Sequence, residues 1–554
     1  MKRSTVIGMV ALGLGAATIG TPVATAGTTH SWRSGAAAAV SGQPPAPGKI
    51  RTDALSSGGK AYFLGPNRDS GSNAPAGPTN TISLGSNVDA NNPRQDLAAG
   101  QSETAIAAAG QRVLVGWNDA TGFLVAPSTD RRASLTGVGY SADGGRTFQD
   151  LIGLPNDNRN QQWFGDPTIV AVDNGRHFIV GSLYLPSFNF DCSKRPAKLD
   201  LAVSVATVSS TGAVSFTKPI VTASGGDVCK LGQKNPPPNT AFLDKEWLGY
   251  DPASRTLAMS YTRFFFGFGG QSGTGQIEMV RAHVPADART LTRSDFSRPI
   301  TVWPEEQAFV FNQGSYVSLA PGGDAYISWE RNLISNLFNG NPYVYIHAAR
   351  VRRGDSSPVV GGPRSPRVVS QGQVNSSRDG GVKSLDGAAI AGYNRGLGND
   401  FPRVAVDAAL NKVIVVWNDA SKHPLGDIWM RGLPMNLDIS GPIEQVNDDN
   451  SYALHFLPAV SVRDNGSIST SWYDRRLTGP DSTRTDYFGE VRSAPTAGGA
   501  DFRITTGSSD WNGTSSLIIP NFGDYTDNAS TGNTTYYTWS DGRLGVPQPF
   551  VDSH

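Results

Sequence analysis

The sequence predicts an all-β protein that folds as a β-propeller, with seven blades as the favoured count and six as the alternative. Glycine and proline are abundant, at 64 and 36 residues, and charged residues make up only 17% of the chain. Such a composition suits many short strands joined by turns better than long helices. A two-strand motif also recurs along the chain, and a repeated unit of this kind is typical of propellers.

Each repeat begins with a strand that starts at a polar residue and continues into small and β-branched residues. A second strand follows and ends in a large apolar anchor residue before a polar turn. The anchors are Trp117, Leu183, Tyr261, Trp329, Trp417, Trp472 and Trp539. They lie too far apart for an immunoglobulin-like sandwich, in which turn signals recur every ~8–12 residues.

The N-terminal part of the chain is expected to lie outside the propeller. Residues 1–26 are typical of a secretory signal peptide, because a short basic start precedes an apolar run and a small-residue cleavage site. Residues 27–80 are rich in Gly, Ala, Ser and Pro and are expected to form a flexible leader. The propeller is expected over 81–554, where the segment from Ile82 to Asn91 should supply the outer strand of the last blade. We therefore predict a secreted protein.

Charge and cysteine content narrow the range of partners. The formal net charge is zero and no basic block stands out, so neither nucleic acid nor an anionic membrane is an expected partner. No apolar run after the signal peptide is long enough to span a membrane.

Cys192 and Cys229, the only two cysteines, should form one disulfide in an exported protein. We expect a monomer without cofactor or metal, since the oxygen-rich stretch from Asn447 to Asn450 lacks the ligand spacing of an EF-hand.

One short segment indicates a family. The pattern Ser-x-Asp-x-Gly-x-Thr-Phe occurs once, at Ser141, Asp143, Gly145, Thr147 and Phe148. In such a turn the Asp side chain binds local amides, the glycine takes a positive φ, and the aromatic residue packs between sheets. The segment resembles the Asp box of secreted bacterial sialidase-like (BNR-repeat) propellers. Further stretches that resemble this family are Phe164 to Pro167, Asp244 to Trp247, Phe401 to Asp407, Trp472 to Arg476 and Gly523 to Tyr525.

The resemblance implies a sialidase-like propeller that acts on sialic acid or a similar anionic sugar terminus. The chain has one intact Asp box, and it lacks the Arg-Ile-Pro motif that sialidases carry near the start of the propeller. A non-catalytic propeller that binds a glycan or a protein therefore stays open as an alternative. A uronic-acid polysaccharide lyase is a third possibility, because His455 lies at a strand entry where such an enzyme would use a histidine.

The candidate site residues lie where first strands begin or second strands end, because first strands start at the mouth of a propeller's central funnel. The candidate catalytic residues are Asp166, Glu246 and Tyr525, and the candidate substrate-binding residues are Lys245, Arg331, Arg403, Arg475 and Arg543. Arginine binds a sugar carboxylate, an Asp can protonate the leaving oxygen, and a tyrosine activated by a Glu can act as nucleophile. The same residue types also cap turns and stack on aromatic rings. We predict a glycoside hydrolase of exo-α-sialidase type with a carbohydrate or glycoconjugate substrate.

Overall fold

The structure is a computed structural model of the full chain. It describes residues 82–93, 99–125, 128–187, 198–230, 241–266, 273–305, 307, 310–333, 343–356, 367–373, 401–420, 422–423, 425–479, 484–516 and 522–554. In these ranges the chain forms strands and short 3-10 helices, without any α-helix, so the all-β prediction is confirmed for them. The 3-10 helices are Ala120–Phe123, Arg131–Ala133, Val228–Lys230, Ala288–Thr290 and Arg293–Asp295. None of the described helices is long and apolar enough to cross a membrane.

Three predictions lie wholly or partly outside the described ranges. The signal peptide at 1–26 and the leader at 27–80 are among the residues that are not described. Cys192 is another, so its disulfide with Cys229 stays a prediction.

Strands that follow one another pair antiparallel and group into units, which we number in chain order. Two strands, β1 (Ser83–Leu84) and β2 (Asn87–Asp89), precede unit 1. Unit 1 contains β3 (Gln101–Ala109), β4 (Arg112–Asp119), β5 (Thr136–Ser141) and β6 (Gln149–Asp150). Unit 2 contains β7 (Gln162–Trp163), β8 (Thr168–Val172), β9 (His177–Leu185), β10 (Asp200–Val208), β11 (Val214–Phe216) and β12 (Ile220–Ser224). Unit 3 contains β13 (Phe242–Asp251), β14 (Thr256–Phe266), β15 (Gly273–His283) and β16 (Ile300–Trp303).

The remaining units continue the same pattern. Unit 4 contains β17 (Val310–Leu319), β18 (Ala325–Leu333), β19 (Tyr343–Val351) and β20 (Arg367–Gln373). Unit 5 contains β21 (Arg403–Asp407), β22 (Lys412–Asp419), β23 (Asp427–Pro434) and β24 (Glu444–Gln445). Unit 6 contains β25 (His455–Val462), β26 (Ile468–Asp474), β27 (Arg484–Arg492), β28 (Phe502–Arg503) and β29 (Ser509–Asp510). Unit 7 contains β30 (Asp527–Thr531), β31 (Thr534–Asp541) and β32 (Gln548–Ser553).

The innermost strands of the units form a closed series. Strands β3, β8, β13, β17, β21, β25 and β30 contact one another in that order, and β30 in turn contacts β3. Units 3 and 4 are also joined into one eight-stranded sheet, because Thr274 and Gly275 pair in parallel with Val310 and Phe311. The first strands therefore surround a common axis, as they do in a propeller, and they bring residues that are distant in sequence together.

The N-terminal segment completes the sheet of unit 7. Val88 and Asp89 of β2 pair with Val551 and Phe550 of β32, so β2 forms an outer strand as predicted. The Asn87 side chain donates to the carbonyl of Ile504 at 2.9 Å and to the carboxylate of Asp552 at 2.7 Å. The strand β32 itself was not foreseen, since the sequence after the last repeat carries no clear strand pattern.

The predicted anchors fill the space between the sheets. All seven are buried with at most 1% of their surface exposed: Trp117, Leu183, Tyr261, Trp329, Trp417, Trp472 and Trp539. A unit cannot cover such side chains alone, so each one is sealed by the neighbouring unit.

Backbone irregularities near the start of first strands determine which side chains face the axis. The pairing register shifts between Ser102 and Ala105 in β3 and between Asp244 and Trp247 in β13. Such bulges re-aim side chains and are common beside functional sites. Four non-glycine residues near the starts of first strands have a left-handed backbone: Glu103, Asp166, Lys245 and Leu457, at φ of 53°, 56°, 56° and 52°. Positive φ is strained for such residues, so surrounding contacts must hold them.

The predicted Asp-box residues form a turn between β5 and β6. Asp143 accepts hydrogen bonds from the Thr147 amide at 3.0 Å, the Thr147 hydroxyl at 2.7 Å and the Ser141 hydroxyl at 2.7 Å. Gly145 has a φ of 78° and donates its amide to Ser141. Phe148 is buried in the cluster that joins unit 1 to unit 7. The turn therefore serves packing, and its residues lie away from the axis.

Candidate functional site

A small cavity lies on the axis, near the start of the first strands. Its walls come from five units and consist of Asp166, Lys245, Glu246, Trp247, Gly314, Ser315, Phe401, Arg403 and Tyr525. All three predicted catalytic residues are in this wall, and so are two of the predicted substrate-binding residues. The closed series of first strands explains why residues from position 166 to position 525 meet here.

Glu246 is a buried carboxyl group of the cavity wall. The residue is 2% exposed, and neither of its carboxylate oxygens accepts a hydrogen bond from another described residue. Burial raises the pKa of Glu246 well above its ordinary value, and the nearby charge of Asp166 raises it further. These surroundings favour the protonated carboxylic acid near neutral pH, which is the form that a proton donor needs.

Lys245 lies among three carboxylates that come from three other units. Its Nζ is 3.3 Å from Asp524, 3.7 Å from Asp166 and 3.7 Å from Glu103. All four residues are at most 5% exposed. Protein carboxylates therefore already surround the ammonium group. A substrate carboxylate would have to compete with them, so this position does not favour the substrate-binding role that the sequence suggested.

Glu103 and Asn118 belong to this cluster but were not among the predicted site residues. The side-chain amide of Asn118 donates to Glu103 at 2.6 Å and to Asp166 at 3.4 Å. The main-chain amide of Asp524 donates to the Glu103 carboxylate at 3.2 Å. Glu103 lies near the start of the first strand of unit 1, and Asp166 lies just before the first strand of unit 2. This shared position in the repeat is the signal that could have identified it.

Arg403 is a buried cation held among aromatic rings. Its guanidinium carbon lies 5.3 Å from the ring centre of Trp247, 5.1 Å from that of Tyr316 and 5.8 Å from that of Tyr525. Its Nε has no hydrogen-bond partner within the described part of the chain. Burial lowers the pKa of Arg403, but an arginine remains charged at any pH a protein meets. Such a cation favours the entry of an anionic group into the cavity.

Tyr525 forms a wall of the cavity and does not have the contacts of an activated nucleophile. Its hydroxyl donates to the main-chain carbonyl of Pro167 at 3.3 Å. Lys245 Nζ lies 4.3 Å from its ring centre, and Trp247 meets the ring edge-on at 5.4 Å. Burial and the charge of Asp166 raise the pKa of Tyr525 well above its ordinary value, so the phenol stays neutral.

Three predicted substrate-binding arginines are not part of the cavity wall. Arg331 binds Glu305 at 3.0 Å, and Arg543 binds Asp541 at 2.8 Å. Arg475 donates to the Thr485 hydroxyl at 3.1 Å, and burial lowers its pKa to about 10. Arg331 lies within the second strand β18, and Arg475 and Arg543 come after the second strands β26 and β31. A second strand lies one layer farther from the axis than a first strand.

His455 is also absent from the cavity wall. Its Nε2 lies 3.1 Å from Asp449 and 3.5 Å from Asp474, and its Nδ1 lies 2.9 Å from the carbonyl of Gly426. These contacts hold the ring between units 5 and 6, and it does not line the cavity that a lyase histidine would need to reach. Across the described ranges, no group of three or more His, Cys, Asp or Glu residues has an arrangement that could hold a metal ion.

The sequence matches no protein-family model and no curated protein. Among solved structures, the chain is similar to a protein of unknown function from Dyadobacter fermentans, with 12% identity and a TM-score of 0.40 over 71% of this chain and 94% of that one. It is also similar to a Hadza microbial sialidase, with 9% identity and a TM-score of 0.40 over 76% of this chain and 73% of that one.

A third similar structure is the sialidase of Trypanosoma rangeli, with 9% identity and a TM-score of 0.37 over 70% of this chain. The chain spans about half the length of that sialidase, 53%. Because all these similarities are remote, we infer function from the side chains of the cavity.

Proposed function

We propose that the chain is an exported glycoside hydrolase that cleaves an anionic sugar terminus in the axial cavity. One observation carries the proposal. A buried cation with an unpartnered Nε, Arg403, and a buried carboxyl group without a hydrogen bond from another described residue, Glu246, line the same cavity. Buried polar groups of this kind cost stability, and a ligand with a carboxylate and a glycosidic oxygen would satisfy both.

The roles follow from the protonation states that the surroundings favour. Arg403 binds the carboxylate of the sugar, and Glu246 donates its proton to the glycosidic oxygen as the bond to the anomeric carbon breaks. Asp166, held beside Lys245, is the second carboxylate. It either takes a proton from the water that attacks the anomeric carbon, or it attacks that carbon itself and water then hydrolyses the glycosyl-enzyme ester to free the sugar and Asp166. The new bond to the anomeric carbon replaces the one that is lost, and the leaving sugar departs as an alcohol.

The resemblance of the sequence to sialidase-like propellers makes an α-sialoside the first substrate class to test. In this proposal Asp166 and Glu246 carry out the catalysis, and Tyr525 is not the nucleophile that the resemblance implied. That tyrosine donates its hydroxyl to Pro167 and shapes the wall.

We also infer that the units of the fold are the blades of one seven-bladed ring. The closed contact series of seven first strands supports this count. The shared sheet of units 3 and 4 then reflects a short parallel contact between two neighbouring blades.

The experiment is a hydrolysis assay of the purified mature protein on paired fluorogenic substrates. We expect turnover of an α-sialoside or a uronide and no turnover of the matching neutral glycoside. Glu246→Gln should lower kcat by at least ~10²-fold, because it removes the proton donor. Arg403→Met should raise KM for the anionic substrate by ~10-fold or more, because it removes the carboxylate's partner.

Matched controls come from ionisable residues outside the cavity. Glu305→Gln and Arg350→Met change a Glu and an Arg that are paired elsewhere, with Arg331 and with Asp324. Both should keep kcat and KM within about twofold. The proposal fails if folded wild-type protein hydrolyses neither class of substrate while a reference glycosidase works, or if Glu246→Gln is as active as the wild type.

A further inference from the structure

Lys245 joins four successive units at the axis. It belongs to unit 3, while its three carboxylate neighbours belong to unit 7 (Asp524), unit 1 (Glu103) and unit 2 (Asp166). Its own backbone is left-handed, and the bulge in β13 directs consecutive residues, Lys245 and Glu246, toward the cavity. Four separate parts of the chain therefore place one cation and three carboxyl groups in one buried cluster.

The ammonium group shares its charge among the carboxylates. Charge-assisted hydrogen bonds between an ammonium and a carboxylate are usually about 2.7–2.9 Å long. The three distances from Nζ are 3.3, 3.7 and 3.7 Å, and Nζ makes no hydrogen bond to any described residue. The interaction is thus electrostatic and acts on all three carboxylates together.

The charges around Lys245 keep it protonated. Burial alone would lower the pKa of Lys245, but Asp166, Glu103 and Asp524 outweigh it and raise the pKa above its ordinary value, with a smaller effect from Asp244. The other ionisable groups of the cavity wall are Glu246, Arg403 and Tyr525. The cluster around Lys245 contains more carboxylates than cations, and this excess disfavours a further negative charge on Glu246.

We propose that Lys245 is a positioning residue that keeps Asp166 ionised while Glu246 beside it remains the proton donor. This inference rests on the proposed function, and it replaces the substrate-binding role that the sequence suggested for Lys245. Lys245 contacts carboxylates from three other units. Its positive charge favours the ionised form of Asp166, so Asp166 and Glu246 can hold different protonation states and take different roles. The sugar carboxylate is left to Arg403.

The test compares pH profiles of kcat/KM for three variants. Lys245→Met removes the charge, so Asp166 should protonate more readily and the acidic limb should move up by at least about one pH unit. Lys245→Arg keeps the charge and should leave the limb within about half a unit. Asp524→Asn removes the carboxylate nearest to Lys245, so Asp166 competes with one carboxylate fewer and the limb should move the opposite way, to lower pH. A Lys245→Met protein that does not fold leaves the opposite shift in Asp524→Asn as the deciding result.

A second readout does not depend on activity. Infrared difference titration of the carboxyl groups, with Asp166→Asn to identify the Asp166 band, should show Asp166 protonating at higher pH in Lys245→Met than in wild type. This measurement decides the inference even if no substrate is hydrolysed. An unmoved Asp166 band would overturn it, and so would a rise in KM for the anionic substrate without any change in the pH profile, which would mean that Lys245 binds the sugar.

Discussion

At the scale of single residues, burial has different consequences for two ionisable groups of the cavity, Glu246 and Arg403. Glu246 can take up a proton and become neutral, and its raised pKa reflects that response. Arg403 cannot lose its proton, so three aromatic rings take the place of water around it. A site that holds a neutral acid beside a fixed cation is suited to an anionic substrate with a basic leaving group.

Asp527 gives a prediction about stability and pH. It is buried, accepts hydrogen bonds from the Ile106 amide and the Tyr316 hydroxyl, and burial raises its pKa to about 7. The unfolded chain ionises this group near pH 4 and the folded chain near pH 7, so its contribution to stability falls as the pH rises across that window. We expect the wild type to lose at least about 1 kcal/mol relative to Asp527→Asn between pH 4 and pH 7.

Urea unfolding at several pH values measures this difference. The exposed Asp438→Asn is the control, and its difference from wild type should stay constant. A constant difference for Asp527→Asn as well would mean that Asp527 is ionised in the folded protein throughout the range.

The sequence predicted which ionisable residues line the cavity better than it predicted the partners of those residues. Asp166, Glu246, Arg403 and Tyr525 were identified because polar residues at first-strand starts must converge near the axis. The sequence could not predict that Arg543 lies outside the cavity wall. Arg543 pairs with Asp541, two residues earlier, and this pairing depends on side-chain geometry in unit 7. Residue type and strand position indicate what can reach a site, whereas local pairing decides what does.

At the scale of elements, the turn after β5 predicts a purely structural effect. Hydrogen bonds from Thr147 and Ser141 lower the pKa of Asp143 despite its partial burial. Asp143→Ala removes the acceptor for three donors and should lower the free energy of unfolding by about 1–3 kcal/mol, with kcat unchanged. Denaturant unfolding and the hydrolysis assay check the two parts, and a loss of kcat without a loss of stability would contradict this account.

The bulges show a limit of strand prediction. An alternating pattern fixes which residues of a strand share a face, and it would place Lys245 and Glu246 on opposite faces. The register shift between Asp244 and Trp247 lets both residues line the cavity. A bulge of this kind depends on contacts with other units, so a strand sequence alone does not predict it.

The segment that carries the cysteines gives a prediction of its own. Cys229 is half-buried and packs against the apolar cluster between units 2 and 3. A disulfide to Cys192 would close a loop and stabilise the protein by about 2–4 kcal/mol. Intact and reduced protein should differ in mass by two protons, with no free thiol before reduction. Two free thiols in natively exported protein would refute the pairing.

At the scale of the whole molecule, closure of the ring depends on both ends of the chain. Unit 7 receives β32 from the C-terminal end and β2 from the N-terminal segment. Arg543 donates to Asn87 at 2.8 Å, which ties the second strand of unit 7 to the same segment. The apolar repeats predict the individual units, and the pairing of β2 with β32 joins the two ends of the chain.

This closure predicts a sharp difference between two truncations. Removing residues 27–75 should leave Tm almost unchanged, because that stretch has too few apolar residues to offset the entropy of ordering it. Removing the chain through Asn91 deletes β2 and leaves β32 as an unpaired edge, which invites association with other strands. We expect lower Tm and a fall in soluble monomer for the longer deletion alone, measured by thermal unfolding and size-exclusion chromatography. A longer deletion that stayed monomeric and equally heat-stable would show that the ring closes without the N-terminal strand.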